Sequence, residues 1–248
     1  MTNDVIDQAL AGYEKFRQLV EDLFQRVRDT LDWIPDALAD LVKPIRDGLA
    51  FIGNKVAEFE SAHEKFERDK GDPDKLRAYA AEWGDKFTQR LDAVAGTLDP
   101  GSLKTTLHWS GSAAETYKIA LSEQLKKIDA AKELGRQMRD SLTNLSNAVE
   151  TFWLTYNSII WGLVGATAAA VVSAATVVGL PAALGILSAE IAAGIPAVFA
   201  TINVIDTTVD TIQNELVAIH DKADDLGAGW NQTDTSTMSH PGDWRTVG

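Results

Sequence analysis

Apolar side chains along this chain recur at steps of three and four, which places them on one face of an α-helix, and the period-two alternation of a strand is almost absent. The first run is Tyr13, Phe16, Val20, Leu23, Val27, Leu31 and Ile34. Pro35 then breaks or restarts the helix, because it has no N–H and its ring clashes with the preceding turn. The second run is Leu38, Leu41, Ile45, Leu49, Ile52, Val56, Phe59, His63 and Phe66, with an early kink expected at Pro44. The polar stretch 67–72 reads as a connector, and Asp72-Pro73 offers an N-cap and a first helical residue with φ already set. A third helix carries Leu76, Ala80, Trp83, Phe87, Leu91, Val94 and Leu98, and Asp99-Pro100-Gly101-Ser102 ends it with turn chemistry.

A short segment, 103–108, leads to Trp109-Ser110-Gly111 and then to a very long helix. Ser112-x-x-Glu115 has the spacing of a capping box, in which hydroxyl and carboxylate satisfy each other's backbone donors. The apolar seam begins with Tyr117, Leu121, Leu125 and Ile128. It continues as Met138, Leu142, Leu145, Val149, Phe152, Tyr156, Ile159 and Leu163, alternating steps of four and three as in a coiled coil. Gly179-Leu180-Pro181 marks a reversal. The returning helix reads Leu184, Leu187, Ile191, Ile195, Val198, Ile202, Ile205, Val209, Ile212, Leu216 and Ile219, with its end expected at Gly227-Ala228-Gly229. The tail from Trp230 is polar and rich in Ser and Thr.

Composition narrows the partners. The 248 residues are 45% hydrophobic and 24% charged, as in a folded protein. A net charge of −13 argues against a nucleic-acid partner, whose phosphates require neutralisation by Lys and Arg, and disfavours electrostatic docking on anionic lipid. The chain has no cysteine, so disulfides, thiolate metal sites and cysteine nucleophiles are excluded. The acidic start, residues 1–7, lacks the basic and apolar regions of a Sec signal peptide, so export would use another route.

The stretch Trp109-Ser110-Gly111-Ser112-Ala113-Ala114-Glu115-Thr116-Tyr117 resembles the WXG family of type VII (ESX) secretion substrates, whose helix-turn-helix hairpins carry this turn followed by small residues and an aromatic. The resembling hairpin covers 73–152, about a third of the chain. Physically, Gly111 would let two helix backbones come close, Trp109 would close the open end of the interhelical core, and Ala113 and Ala114 would keep the first turn slim. The resemblance implies export without a Sec peptide, cytoplasmic residence beforehand, and a location outside the cell or at its envelope. It implies a protein partner, either another WXG-type chain or a type VII component, and self-association is a further expectation. The family's Tyr-x-x-x-Asp/Glu signal has no counterpart: Arg17 follows Tyr13, Trp83 follows Tyr79, Leu121 follows Tyr117 and Ile160 follows Tyr156 at that spacing. A partner chain would supply it, or the protein is not exported.

From 151 to 189 there is no charged residue, a run of 39, and Trp161, Leu163, Val171, Val172, Val177, Val178, Leu180 and Pro181 fall in its apolar part. A helix apolar all round must be buried in protein or in lipid. Three readings follow: a packed tip or partner contact, conditional membrane insertion through 158–205, and permanent spanning by 158–180 and 181–205. Soluble helical toxins have a similar layout. No Lys or Arg lies between Arg139 and Lys222, so the basic flank that orients a permanent span is missing.

Motifs for catalysis are absent. His63, His108, His220 and His240 have no neighbours at metal-ligand spacing, and neither a phosphate loop nor a nucleophile elbow occurs. His63, on an apolar seam, reads as a packed residue with one satisfied nitrogen, and His220 as part of a helix C-terminal cap. The expectation is therefore a non-enzyme with no cofactor, metal or catalytic residue. Its fold is all-α: an elongated bundle of long antiparallel helices, divided into an N-terminal helical region (1–72), a WXG-like hairpin (73–152), an apolar hairpin (153–226) and a tail (227–248). Its function is partner binding. Pore formation by the apolar hairpin and a purely intracellular coiled-coil scaffold are the alternatives.

Overall fold

The computed structural model describes residues 2–32, 39–68, 70–99, 103, 109–174, 179–229 and 245–246. Pro35, the 100–102 turn, His108, Val177, Val178, His240 and nearly all of the polar tail lie outside them. The chain is an all-α helical bundle. Its helices are α1 (Thr2–Leu31), α2 (Ala39–Arg68), α3 (Pro73–Ala81), a π-helical segment (Glu82–Phe87), α4 (Thr88–Thr97), α5 (Ser112–Ser173) and α6 (Leu180–Gly229). The strands among the described residues are two residues each: β1 (Trp109–Ser110) pairs antiparallel with β2 (Arg245–Thr246).

The chain divides into two compact units, Met1–Asp74 with Asn147–Thr208 and Lys75–Ser146 with Val209–Gly248. Packing, rather than succession along the chain, decides this partition, whereas the sequence reading cuts consecutive stretches at 72, 152 and 226. The apolar half of α5 and the apolar half of α6 need partners with apolar seams, and α1 and α2 supply them.

Unit 1 is a four-helix arrangement of α1, α2, the second part of α5 and the first part of α6. On α1 the buried positions are Ile6, Ala9, Tyr13, Phe16, Val20, Leu23 and Val27, steps of three and four in strict alternation. That repeat keeps one seam facing its neighbours along the whole helix. On α2 the buried positions are Val42, Ile45, Ile52, Val56, Phe59 and His63, with the half-buried Leu49 filling the step of seven between Ile45 and Ile52, and the helix runs on through Pro44. The facing side of α5 buries Phe152, Trp153, Tyr156, Ile160, Leu163 and Val164, and that of α6 buries Leu180, Leu184, Leu187, Ile191, Ile195 and Val198. Glycines set the closest approaches. A Cβ on Gly12 would stand 2.5 Å from Ile160 Cγ2 and 3.2 Å from the Trp161 indole, and one on Gly194 would stand 3.3 Å from Ile159 Cγ2.

In unit 2 the third-helix seam differs from its expected register. The π-helical segment inserts extra backbone per turn and shifts the facing side. Gly84 is buried where Trp83 was expected, while Trp83 and Val94 are exposed. The reason is room: a Cβ on Gly84 would lie 2.4 Å from Arg139 Cδ, and one on Gly135 would lie 2.7 Å from the Phe87 ring. An indole has no space at that crossing. Lys132 bridges the same pair of helices, reaching Asp92 at 2.8 Å and Asp129 at 2.9 Å.

Helix propensity alone favours alanine over glycine at any helical position. Gly12→Ala is nevertheless expected to destabilise the protein by about 1–3 kcal/mol, because Ile160 and Trp161 must shift. Gly165→Ala, with open space around it, is expected to stabilise by up to about 1 kcal/mol. Denaturant unfolding of the two variants checks both signs.

Candidate functional site

The start of α5 is built by Trp109-Ser110-Gly111. Trp109 and Ser110 form β1, and Gly111 takes φ 106°, a backbone conformation that L side chains rarely adopt. The Gly111 carbonyl accepts the Glu115 N–H at 3.1 Å, so the helix boundary falls at Gly111 and Ser112 lies inside the first turn. The capping box is accordingly not the arrangement found. Glu115 pairs with Lys118 at 3.0 Å, and the Ser112 carbonyl accepts the Thr116 hydroxyl at 3.0 Å. Ala113 and Ala114 are fully buried and Tyr117 is half-buried. Gly111 makes a left-handed step into α5. The close helix crossing is made instead by Gly84 and Gly135. The Trp109 side chain lies outside what is described.

The expected α5 seam divides between the units. Met138, Leu142 and Leu145 belong to unit 2 and are half-buried, while Val149, Phe152 and Tyr156 belong to unit 1 and are buried. In unit 2 the buried Ser141 donates its hydroxyl to the Glu215 carboxylate, and Lys222 reaches Gln137 at 3.2 Å. Beside them is a cleft of about 390 Å³ with Ala130, Leu134 and Leu226 in its lining and Lys127, Glu133 and Lys222 around it. His220 is not a terminal cap: α6 continues to Gly229, and the ring sits 3.4 Å from Asp224 within the helix.

The most constrained chemistry lies in unit 1. His63 is only 2% exposed and stacks on Tyr13 of α1 at a ring separation of 3.5 Å. Its Nδ1 is 2.7 Å from the Tyr156 hydroxyl of α5, and its Nε2 faces the Glu67 carboxylate at 3.7 Å. A carboxylate is an acceptor, so Nε2 carries the proton, Nδ1 accepts, and Tyr156 donates. Phe59, Phe66 and Phe152 complete the cluster. Burial lowers the His63 pKa to about 4, and burial, reinforced by nearby carboxylates, pushes Tyr13 up to about 12. Next to it, Trp153 is buried and donates its indole N–H to the Lys70 carbonyl at 2.9 Å, tying the connector after α2 to α5. Trp153 lies one residue off the heptad seam, so the spacing argument missed it; its size beside Phe152 was the available signal.

Along the uncharged stretch, Leu163, Val171 and Leu180 are buried, whereas Trp161, Val172 and Pro181 are exposed, Val172 by 76%. α5 and α6 are both long and apolar enough to cross a membrane, with 39% and 33% of their most apolar windows buried. Among the described residues, no group of three or more His, Asp or Glu side chains is placed to hold a metal ion. Asn157 Oδ1 is buried without a hydrogen-bond partner. Comparison with known proteins finds no matching family model, no matching curated protein and no matching solved structure.

Two measurements follow from this cluster. The unfolded chain binds a proton on His63 below about pH 6.5, but the folded one does so only near pH 4, so His63 adds stability at neutral pH that is lost as pH falls through that window. The loss is about 3 kcal/mol, and His63→Phe should lack it; stability against pH for both proteins tests this. Asn157→Leu removes an unsatisfied buried acceptor and is expected to raise stability by about 1 kcal/mol in a thermal melt.

Proposed function

We propose that the protein is a non-enzymatic, helical partner-binding protein of the WXG type, exported by a type VII route or held at the cell envelope. The observation that carries the reading is the start of α5. There, Trp109-Ser110 is a short strand, Gly111 a left-handed step, and Ala113 and Ala114 are buried in the first turn of the helix. These residues are among those that carry the resemblance: a positive φ suits Gly111, and complete burial suits the small side chains of Ala113 and Ala114. Unit 2 also leaves Tyr79, Trp83, Val94 and Ile119 exposed, apolar area of the kind a partner covers. The seam from Met138 to Leu145 is half-buried in the single chain, which leaves area for a partner helix.

Export is tested by expressing the chain, with the genes adjacent to it, in cells with an intact and a disrupted type VII apparatus. The protein is expected in the medium of the first and only inside the second. Equal amounts in both media, or retention inside both, overturns the reading.

A further inference from the structure

We propose that the uncharged hairpin of unit 1, α5 from Phe152 and α6 as far as Ile205, is a membrane-inserting element closed off by α1 and α2. We further propose that acid opens this cover through His63, and that the partner which then takes its place is the hydrocarbon core of a bilayer. This goes beyond the export reading and is independent of it.

The first support is the charge distribution. Between 151 and 205 the only charged residue is Glu190, which is exposed. A protein partner would be held in register by polar pairs, and this stretch offers almost none. Its exposed large side chains are Leu154, Trp161, Val172, Ile186 and Val204. Each arm exceeds the ~20 residues that span a bilayer core. With no Lys or Arg between Arg139 and Lys222, attraction to anionic headgroups is not the driving force, so the surface fits neutral lipid.

The second support is the way α1 and α2 are fastened. They cover the inner face of the hairpin, and α1, α2 and α5 meet at His63. The ionisable groups around it are Tyr13 on α1 with Glu14 and Arg17 beside it, Glu60, Glu64 and Glu67 on α2, and Tyr156 on α5. A proton added at Nδ1 turns the hydrogen bond around. Tyr156 must then accept, and its own O–H is left facing apolar rings. The new imidazolium, desolvated among Tyr13, Phe59 and Phe66, gains most by moving toward Glu67 and water, out of the junction of the three helices. Between about pH 6.5 and pH 4 each unit of acidification shifts the closed-to-open balance about tenfold.

The chain has no cysteine, so a reversible tether can be placed cleanly. Gly12→Cys with Ile160→Cys sets two Cβ atoms within the roughly 4 Å that a disulfide spans, joining α1 to α5. The full chain is added to dye-loaded phosphatidylcholine vesicles at about pH 7.5 and about pH 4.5. Leakage is expected only in acid, to be lost in the oxidised tethered protein, and to return in the same sample on adding reductant. Recovery by reductant separates a closed cover from a misfolded variant. His63→Phe, which cannot take the proton, is expected to leak in acid at least about tenfold more slowly than the wild type. The proposal is overturned by equal leakage at both pH values, by leakage of the oxidised tether, by His63→Phe behaving as wild type, or by no leakage at all.

Discussion

A hairpin with almost no charge cannot present every face to water, and the arrangement of unit 1 follows from that constraint. The second part of α5 and the first part of α6 pack against each other at Gly194. Their inner faces are closed by α1 and α2, whose apolar seams repeat at steps of three and four with Leu49 of α2 half-buried. The outer faces of the amphipathic pair carry the charges that the hairpin lacks. Most of unit 1 can therefore be described as two solvating helices laid over two helices that cannot solvate themselves.

Polar groups inside this packing are handled individually. Thr167 returns its hydroxyl to the Leu163 carbonyl within its own helix, and Trp153 gives its N–H to Lys70, so neither leaves a donor stranded. His63 needs another helix for satisfaction, and its hydrogen bond to Tyr156 makes one buried polar contact depend on the mutual placement of α2 and α5. Burial keeps the ring neutral, which lets a histidine sit among four aromatic side chains at neutral pH. Asn157 Oδ1 departs from the pattern, an acceptor without a partner in the same stretch of α5.

Much of the fold was legible because helical periodicity is written locally. The runs through Tyr13–Val27, Ile45–His63 and Leu184–Val198 appear as buried faces at the expected positions, and α3 starts at Pro73 as the Asp72-Pro73 pair implies. Less of the candidate site was legible. Trp83 and Val94 were placed on the facing side of the third helix. The π-helical segment puts Gly84 on that side instead, against Arg139 with no room for a Cβ, and a change of turn width is not read from three-four spacing. Gly111 takes a left-handed backbone conformation at the start of α5, while the close helix crossing in unit 2 falls at Gly84 and Gly135, where a Cβ would collide with a side chain of the other helix.

The sequence by itself determined the fold class, the long helices and the absence of charge over the hairpin, since each depends on residues close together in the chain. Tertiary structure alone decided which helices share a core. A seam that runs unbroken from Met138 to Tyr156 serves unit 2 with its first half and unit 1 with its second. Nothing in a three-four repeat names the partner across it. The junction of His63, Tyr13 and Tyr156 belongs to the same class of fact: His63 and Tyr156 lie 93 positions apart, and only packing brings them within a hydrogen bond and stacks Tyr13 on the imidazole.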